Sequence, residues 1–158
     1  MPTGSEPPPA LLVKPPLVVS ACLLGVRCNH RGEASPSPAV SALGATHRLV
    51  PVCPETLGGL PTPRPAAELQ PDGTVLTASG ADVSAAYRAG AEAVVAVARA
   101  LGAESAVLKA RSPSCGCHAV YDGTFSGVRV AGAGVTAAAL VVAGLTVRDE
   151  EDVAGASA

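Results

Sequence analysis

The chain has 158 residues, 48% of them hydrophobic and 15% charged, which suits one folded domain and excludes a globally disordered chain. With no Trp, one Phe and two Tyr, the core has to be built from Ala, Val and Leu. The net charge of −2 comes without any block of Lys or Arg, so the basic stripe that a long nucleic-acid partner needs is missing.

The opening MPTGSEPPPALLVKPP has neither a basic start nor a long apolar run. It reads as a disordered Pro-rich tail over residues 1–16, not as a secretory signal. Leu17-Val18-Val19-Ser20 is a first strand, rich in β-branched residues. Cys22 follows it, in a loop with Gly25, Asn29 and Gly32. Pro36 to Leu43 predicts a short helix, with Ser37 as cap and Pro38 in the first position. Arg48 to Val52 is a second strand, its Pro51 pointing to an edge or a strand end. Cys53 opens the Pro- and Gly-rich stretch CPETLGGLPTPRP.

Asp72-Gly73 marks a turn. Asp82 is placed to cap the longest helix, Val83 to Leu101, which Gly102 ends. On that helix Val83, Tyr87, Gly90, Val94, Ala98 and Leu101 share one face and are expected in the core. Ala106 to Leu108 is a third strand and leads through Lys109 into KARSPSCGC. Val120 to Gly123 reads as a strand edge and turn. Val135 to Ala143 is a helix stopped by Gly144, and Leu145 to Val147 a last strand. The uncharged stretch from Ala131 to Val147 is interrupted by Gly132, Gly134 and Gly144. It falls short of the ~20 strongly apolar residues of a membrane span, so no membrane partner is expected. Residues 17–150 make the domain, and 151–158 a flexible C-terminal tail.

Alternating strands and helices define the fold class: α/β, a single domain with a mostly parallel sheet flanked by helices, Rossmann-like. In such folds ligands bind beyond the carboxyl ends of the strands. Cys22, Cys53 and Cys115 each follow a predicted strand, so parallel strands would bring all three to one edge. The cysteines number five (22, 28, 53, 115 and 117), and no secretory signal is present. That combination points to the cytoplasm, and to metal binding or catalysis over a disulfide framework. A lone cytosolic cysteine is just as often a small buried hydrophobe, and no Cys-x-x-Cys pair announces a metal by spacing.

Three clusters carry more. They are Ser20-Ala21-Cys22-Leu23-Leu24-Gly25 with Cys28 behind it; PVCPE (51–55) running through Gly58-Gly59-Leu60 to Pro63-Arg64; and Lys109 through SPSCG (112–116) to Tyr121-Asp122-Gly123. In this order they resemble the thiouracil desulfidase family, over about Leu17 to Glu150. The chain departs from the family pattern at Asn29-His30-Arg31-Gly32, where Arg-Tyr-Asp-Gly is usual.

The resemblance implies a [4Fe–4S] cluster held by three cysteines, Cys22, Cys53 and Cys115, with one iron left open for the sulfur of the substrate. Cys28 is a further candidate ligand or a structural residue. The implied reaction is non-redox, hydrolytic desulfuration of a thiolated pyrimidine, a free base such as thiouracil or a nucleotide such as thio-UMP, releasing sulfide and the oxo product. Glu55, two residues after Cys53, is the implied general base. Ser112, three before Cys115, would orient substrate or relay a proton. Arg64, Lys109 and Arg111 are candidate anion contacts for a nucleotide. Gly58, Gly59 and Gly116 would let backbone approach the ligand. The partner is thus a small molecule, and the chain is a monomer or small homo-oligomer.

Each residue also has a plainer reading. Glu55 could cap a helix, Ser112 could serve a turn, Arg64 could pair with Glu68, and Lys109 and Arg111 could be solvated strand-end charges. Two other functions stay open. One is a closed structural zinc or iron–sulfur site without turnover. The other is a thiol-redox or sulfur-carrier protein using Cys115 and Cys117. Beside the cluster reading Cys117 is incidental, although Cys117-His118 also suits zinc.

Overall fold

A computed structural model describes residues 13–156. The expected tail at the N-terminus therefore lies mostly outside the described residues, as do the last two positions. The central sheet has four strands: β1 (Pro16–Ser20), β2 (Arg48–Val52), β5 (Ser105–Leu108) and β8 (Thr146–Asp149). Their order is β2-β1-β5-β8, and every pair is parallel. Two antiparallel hairpins stand apart from it, β3 (Ala67–Leu69) with β4 (Val75–Thr77), and β6 (Ala119–Tyr121) with β7 (Arg129–Ala131). The helices are α1 (Pro38–Ala42), α2 (Pro54–Leu57), α3 (Ser84–Leu101), α4 (Val135–Val142) and α5 (Glu150–Ala156).

Strand β1 explains why both faces of the sheet are covered. Its side chains alternate between faces with period two. Val18 joins Val94 and Ala98 of α3 and Ala137 and Leu140 of α4. Leu17 and Val19 join Val40 of α1 and Val153 of α5 on the opposite face. A strand buried on both sides must be apolar at every position, and Leu-Val-Val is. Each such side chain contributes about 1.5–3 kcal/mol by leaving water.

Helix boundaries follow local chemistry. Ser37 Oγ accepts the Val40 amide at 3.4 Å and Pro38 takes the first turn, as expected for α1. The helix stops earlier than expected, at Ala42, and a 3-10 turn over Leu43–Ala45 completes it. Asp82 sits one residue further out than predicted. The cap position is Val83, and the Asp82 carboxylate accepts the Ser84 amide at 2.9 Å. Gly102, at φ 67°, ends α3 in the left-handed conformation that glycine adopts without strain. The core stripe of α3 holds from Tyr87 to Ala98, while Leu101 at its end is exposed.

The C-terminal end also differs from the sequence reading. Residues 151–156 are not a flexible tail: they form α5, which packs on α1 and buries Val153. The only signal for it was Asp149 followed three residues later by Asp152, a reciprocal cap at a helix start. The strand before it accordingly runs two residues further than predicted, to Asp149. The stretch from Ala131 to Val147 resolves into the end of β7, α4 and the start of β8. No helix among the described residues is long and apolar enough to cross a membrane.

Candidate active site

Strand register places the site. Ser20 is level with Val52 across β1 and β2, Val19 is level with Val107, and Leu108 is level with Asp149. All four strands therefore end at one edge. Cys22, Cys53, the loop from Lys109 to Cys115, and Glu150 leave the sheet there. The chain passes from β1 to β2 on one side and to β5 on the other. The edge between β1 and β5 is thus the topological switch point where such sheets bind ligands.

A cavity of about 440 Å3 opens at this edge, lined by Cys22, Cys28, Cys53 and Cys115 together with Glu55, Tyr87, Lys109, Arg111 and Ser112. The four cysteines are free thiols. Burial pushes Cys22 up to about 11 and Cys28 and Cys115 up to about 12; the neighbouring Cys53 is a further cause for Cys28, and Lys109 partly offsets the rise at Cys22. Buried thiols of this kind are inert on their own at neutral pH and become thiolates when a metal displaces the proton. The donor set, soft sulfur from separate loops facing one cavity, fits an iron–sulfur centre.

Each loop is held by its own contacts. Cys53 precedes α2, and α2 lies against α3 because of two glycines. A Cβ at Gly90 would lie 1.9 Å from the Pro54 carbonyl oxygen, and one at Gly58 would lie 2.0 Å from that of Ala86. Gly58 thus serves helix packing, not approach to a ligand. In the third loop, Ser112 Oγ accepts the amides of Ser114 and Cys115 at 3.1 Å each. The carbonyls of Pro113 and Ser114 accept amides from the first turn of α4, and Ser114 Oγ meets Thr136 Oγ1 at 2.8 Å. The otherwise unpaired amides of the α4 terminus therefore fasten the Cys115 loop. Gly134 and Gly116 allow that approach: a Cβ at Gly134 would lie 2.5 Å from the Ser114 carbonyl carbon, and one at Gly116 would lie 2.8 Å from the Ala119 oxygen.

The candidate anion contacts all have carboxylate partners. Arg64 Nε donates to Glu55 Oε2 at 2.6 Å, and Nη2 pairs with the same oxygen. Nη2 also donates to the Cys28 carbonyl at 2.8 Å, and Nη1 to the Pro61 carbonyl and Thr62 Oγ1. Arg64 pairs with Glu55, not with Glu68; Glu68 instead accepts the Gly123 and Phe125 amides. Lys109 Nζ donates to Glu150 Oε1 at 2.7 Å, while Glu150 Oε2 accepts the Ala110 amide at 2.7 Å. Arg111 pairs with Glu151.

Three residues at this edge carry contacts that the sequence reading left out. Ser20 Oγ accepts the Lys109 amide at 2.9 Å and lies beside the Cys115 thiol. Glu150 fastens the start of the third loop. Tyr87, raised chiefly by burial and next by the Glu55 charge, stays a protonated phenol next to that carboxylate. Glu150 was hidden by the early end assigned to the last strand, and Tyr87 was legible only as a core residue. Cys117 does not line the cavity; burial, and next the charges of Asp149 and Asp152 that it faces, push its thiol up to about 11. Cys115 and Cys117 therefore make no exposed, low-pKa redox pair.

A parallel α/β sheet thus gathers four thiols and a carboxylate at its switch point, a donor set of the kind that suits a soft metal. Residues 17–152 match the model of the 2-thiouracil desulfurase family, and the chain belongs to that family. Uncharacterised protein YbbK of Bacillus subtilis strain 168 is 40% identical over 145 residues, covering 86% of this chain and 96% of YbbK. A solved structure of TudS, described as a [4Fe-4S]-dependent thiouracil desulfidase, superposes with a TM-score of 0.82 at 44% identity. The match covers 91% of this chain and 98% of TudS.

Proposed function

We propose that the chain is an iron–sulfur-dependent desulfidase that converts a thiolated pyrimidine to its oxo form and releases sulfide, without net redox change. The observation that carries this reading is the shared cavity, where four thiols from three loops face Glu55 and Ser112. The family match and the likeness to TudS support it. Cys22, Cys53 and Cys115, one from each loop, would hold the cluster. Cys28 stays structural, its carbonyl fixed by Arg64. When bound there, the cluster would supply Lewis-acid iron able to polarise a thiocarbonyl.

The chain's own residues supply the rest. The Glu55 carboxylate takes a proton from the attacking water. Arg64 holds that carboxylate in place through its planar fork. Tyr87 confines it from the α3 side. Ser112 keeps its oxygen on the two loop amides, which leaves its hydroxyl proton to donate into the cavity. Because Arg64, Lys109 and Arg111 are all matched to carboxylates, the site suits a neutral free base such as thiouracil better than a nucleotide. The free thiols accord with a reducing cytoplasm. The net charge of −2 gives no basis for a long nucleic-acid partner, and a monomer or small homo-oligomer suffices.

The test is anaerobic sulfide release from a panel of thio-bases and thio-nucleotides, normalised to iron. The expected result is about four irons and matching labile sulfide per chain, with turnover highest on a free thio-base. One zinc and no turnover would instead establish a closed structural site. An intact cluster with no sulfide from any substrate would overturn the activity.

A further inference from the structure

Away from the thiol cavity, a second set of ligand-type side chains meets where three segments converge. Cys117 and His118 lie on the turn into β6, Asp149 ends β8, and Asp152 is in the first turn of α5. Cys117 Sγ, a His118 ring nitrogen and a carboxylate oxygen from each Asp all lie within 4.8 Å of one another. Helix capping explains part of this. Asp149 Oδ1 accepts the amides of Glu151 and Asp152 at 2.9 Å each, and Asp152 Oδ2 accepts the Asp149 amide at 2.9 Å. That reciprocal box closes the helix start.

Capping does not explain the remaining donors. Asp149 is buried, and the cap engages its Oδ1; its second oxygen is Oδ2. That oxygen faces His118 Nε2 at 4.0 Å. His118 Nε2 in turn meets Asp152 Oδ2 at 2.7 Å. The carboxylate of a buried residue thus lies beside an imidazole and a thiol, neither of which the cap uses.

We propose that Cys117, His118, Asp149 and Asp152 form a second metal site, for a divalent cation of the zinc class. One sulfur, one nitrogen and two oxygens suit a borderline-soft ion, and four protein ligands close a tetrahedral shell. Calcium and magnesium want six or more oxygens and fit this set poorly. With no ligand position left open, the ion acts as a clamp and not as a catalyst. It joins the chain just beyond Cys115 to the start of α5, where Glu150 already holds Lys109 and the Ala110 amide. Because Cys117 lies outside the thiol cavity, the site does not depend on the desulfidase reading.

The experiment uses cluster-loaded protein, incubated anaerobically with zinc or cobalt(II), desalted, and analysed for metal and iron together. The expected result is about one retained zinc per chain, unchanged iron, a thiolate-to-cobalt charge-transfer band, and a higher Tm. Cys117→Ala should lose the band, and both Cys117→Ala and His118→Gln should lower zinc affinity at least about 10-fold, with iron unchanged. Cys117 is partly buried and His118 exposed, and the Asp149 cap is left intact, so both variants should fold. No zinc retained by the wild type overturns the site. So does wild-type retention in either variant, or zinc uptake matched by loss of iron.

Discussion

Arg64 and Glu55 form an ion pair with both side chains almost out of water, 5% and 13% exposed. The guanidinium has five N–H donors, and all five are engaged: two on Glu55, one on the Cys28 carbonyl, one on the Pro61 carbonyl and one on Thr62 Oγ1. One side chain thereby ties the carboxylate at the site to the backbone beside its thiols. It has no donor left for a substrate phosphate.

Replacing Arg64 should therefore damage stability before it damages affinity. Removing one partner of a buried pair typically costs about 3–5 kcal/mol. Glu55 keeps some contact with water, so Arg64→Met should fall near the low end. Arg64→Lys should recover only part of the loss, because an ammonium offers three donors and no fork. Denaturant titration of cluster-loaded protein measures this. A loss under about 1 kcal/mol for Arg64→Met would mean an ordinary surface pair.

Gly90→Ala sets two effects against each other. Alanine in the middle of α3 gains about 1 kcal/mol of helix propensity. The same Cβ would lie 1.9 Å from the Pro54 carbonyl oxygen, which is backbone and cannot rotate away. Overpacking typically costs about 1–3 kcal/mol, so the clash should win. Because Pro54 sits between Cys53 and Glu55, bound iron should fall as well. A stabilised variant with full iron would show that α2 can move without disturbing the site.

The parts of the fold legible in the sequence were those with a local signature. The β-branched run at Leu17–Val19, the Ser37-Pro38 helix start and the αL glycine after Leu101 each impose one conformation. Parallel pairing then placed Cys22, Cys53 and Cys115 at one edge. Hairpin β3–β4 showed only its Asp72-Gly73 turn, since strands of three residues leave no period to read. The pairing of Arg64 with Glu55 was not legible, because Glu68 was an equally near carboxylate and only tertiary structure separates them. Likewise Cys117, His118, Asp149 and Asp152 meet only because β8 lies where it does.

Asp82 gives a pH-dependent prediction. Hydrogen bonds from the Ser84 hydroxyl and amide hold its carboxyl below the usual range. A depressed folded pKa favours the native state once the unfolded carboxyl, near about 3.9, is ionised. That contribution is full at neutral pH and fades as pH falls through the folded value. Asp82→Ala should thus lower Tm at pH 7, and the gap to wild type should close in acid. A gap independent of pH would assign the effect to lost packing.

Ligation can be read variant by variant. Cys22→Ala, Cys53→Ala and Cys115→Ala should each lose the cluster absorbance and most iron, while Cys117→Ala keeps both. Cys28 is the informative case, since its thiol shares the cavity with the other three. In the three-ligand reading, Cys28→Ala retains iron. Loss of iron there, with retention in one of the others, would exchange their places.

Glu55→Gln separates chemistry from architecture. The amide keeps the size of the carboxylate but cannot take a proton from water, so turnover per iron should fall about 10²–10⁴-fold. It also leaves the buried Arg64 charge without its partner, so stability should fall too, and that alone could lower activity. The double variant Glu55→Gln/Arg64→Met resolves the two effects. Removing the orphaned charge should recover part of the stability lost in Glu55→Gln, because neighbouring partners are not additive. It should recover none of the rate, because the proton acceptor is still missing. If Glu55 only anchors Arg64, rate and stability should instead recover together. The measurements are denaturant titration, iron content and anaerobic sulfide release from a thiouracil-type substrate, for both single variants and the double. Wild-type turnover per iron in Glu55→Gln would remove it as the base and leave the water to be activated at the iron alone.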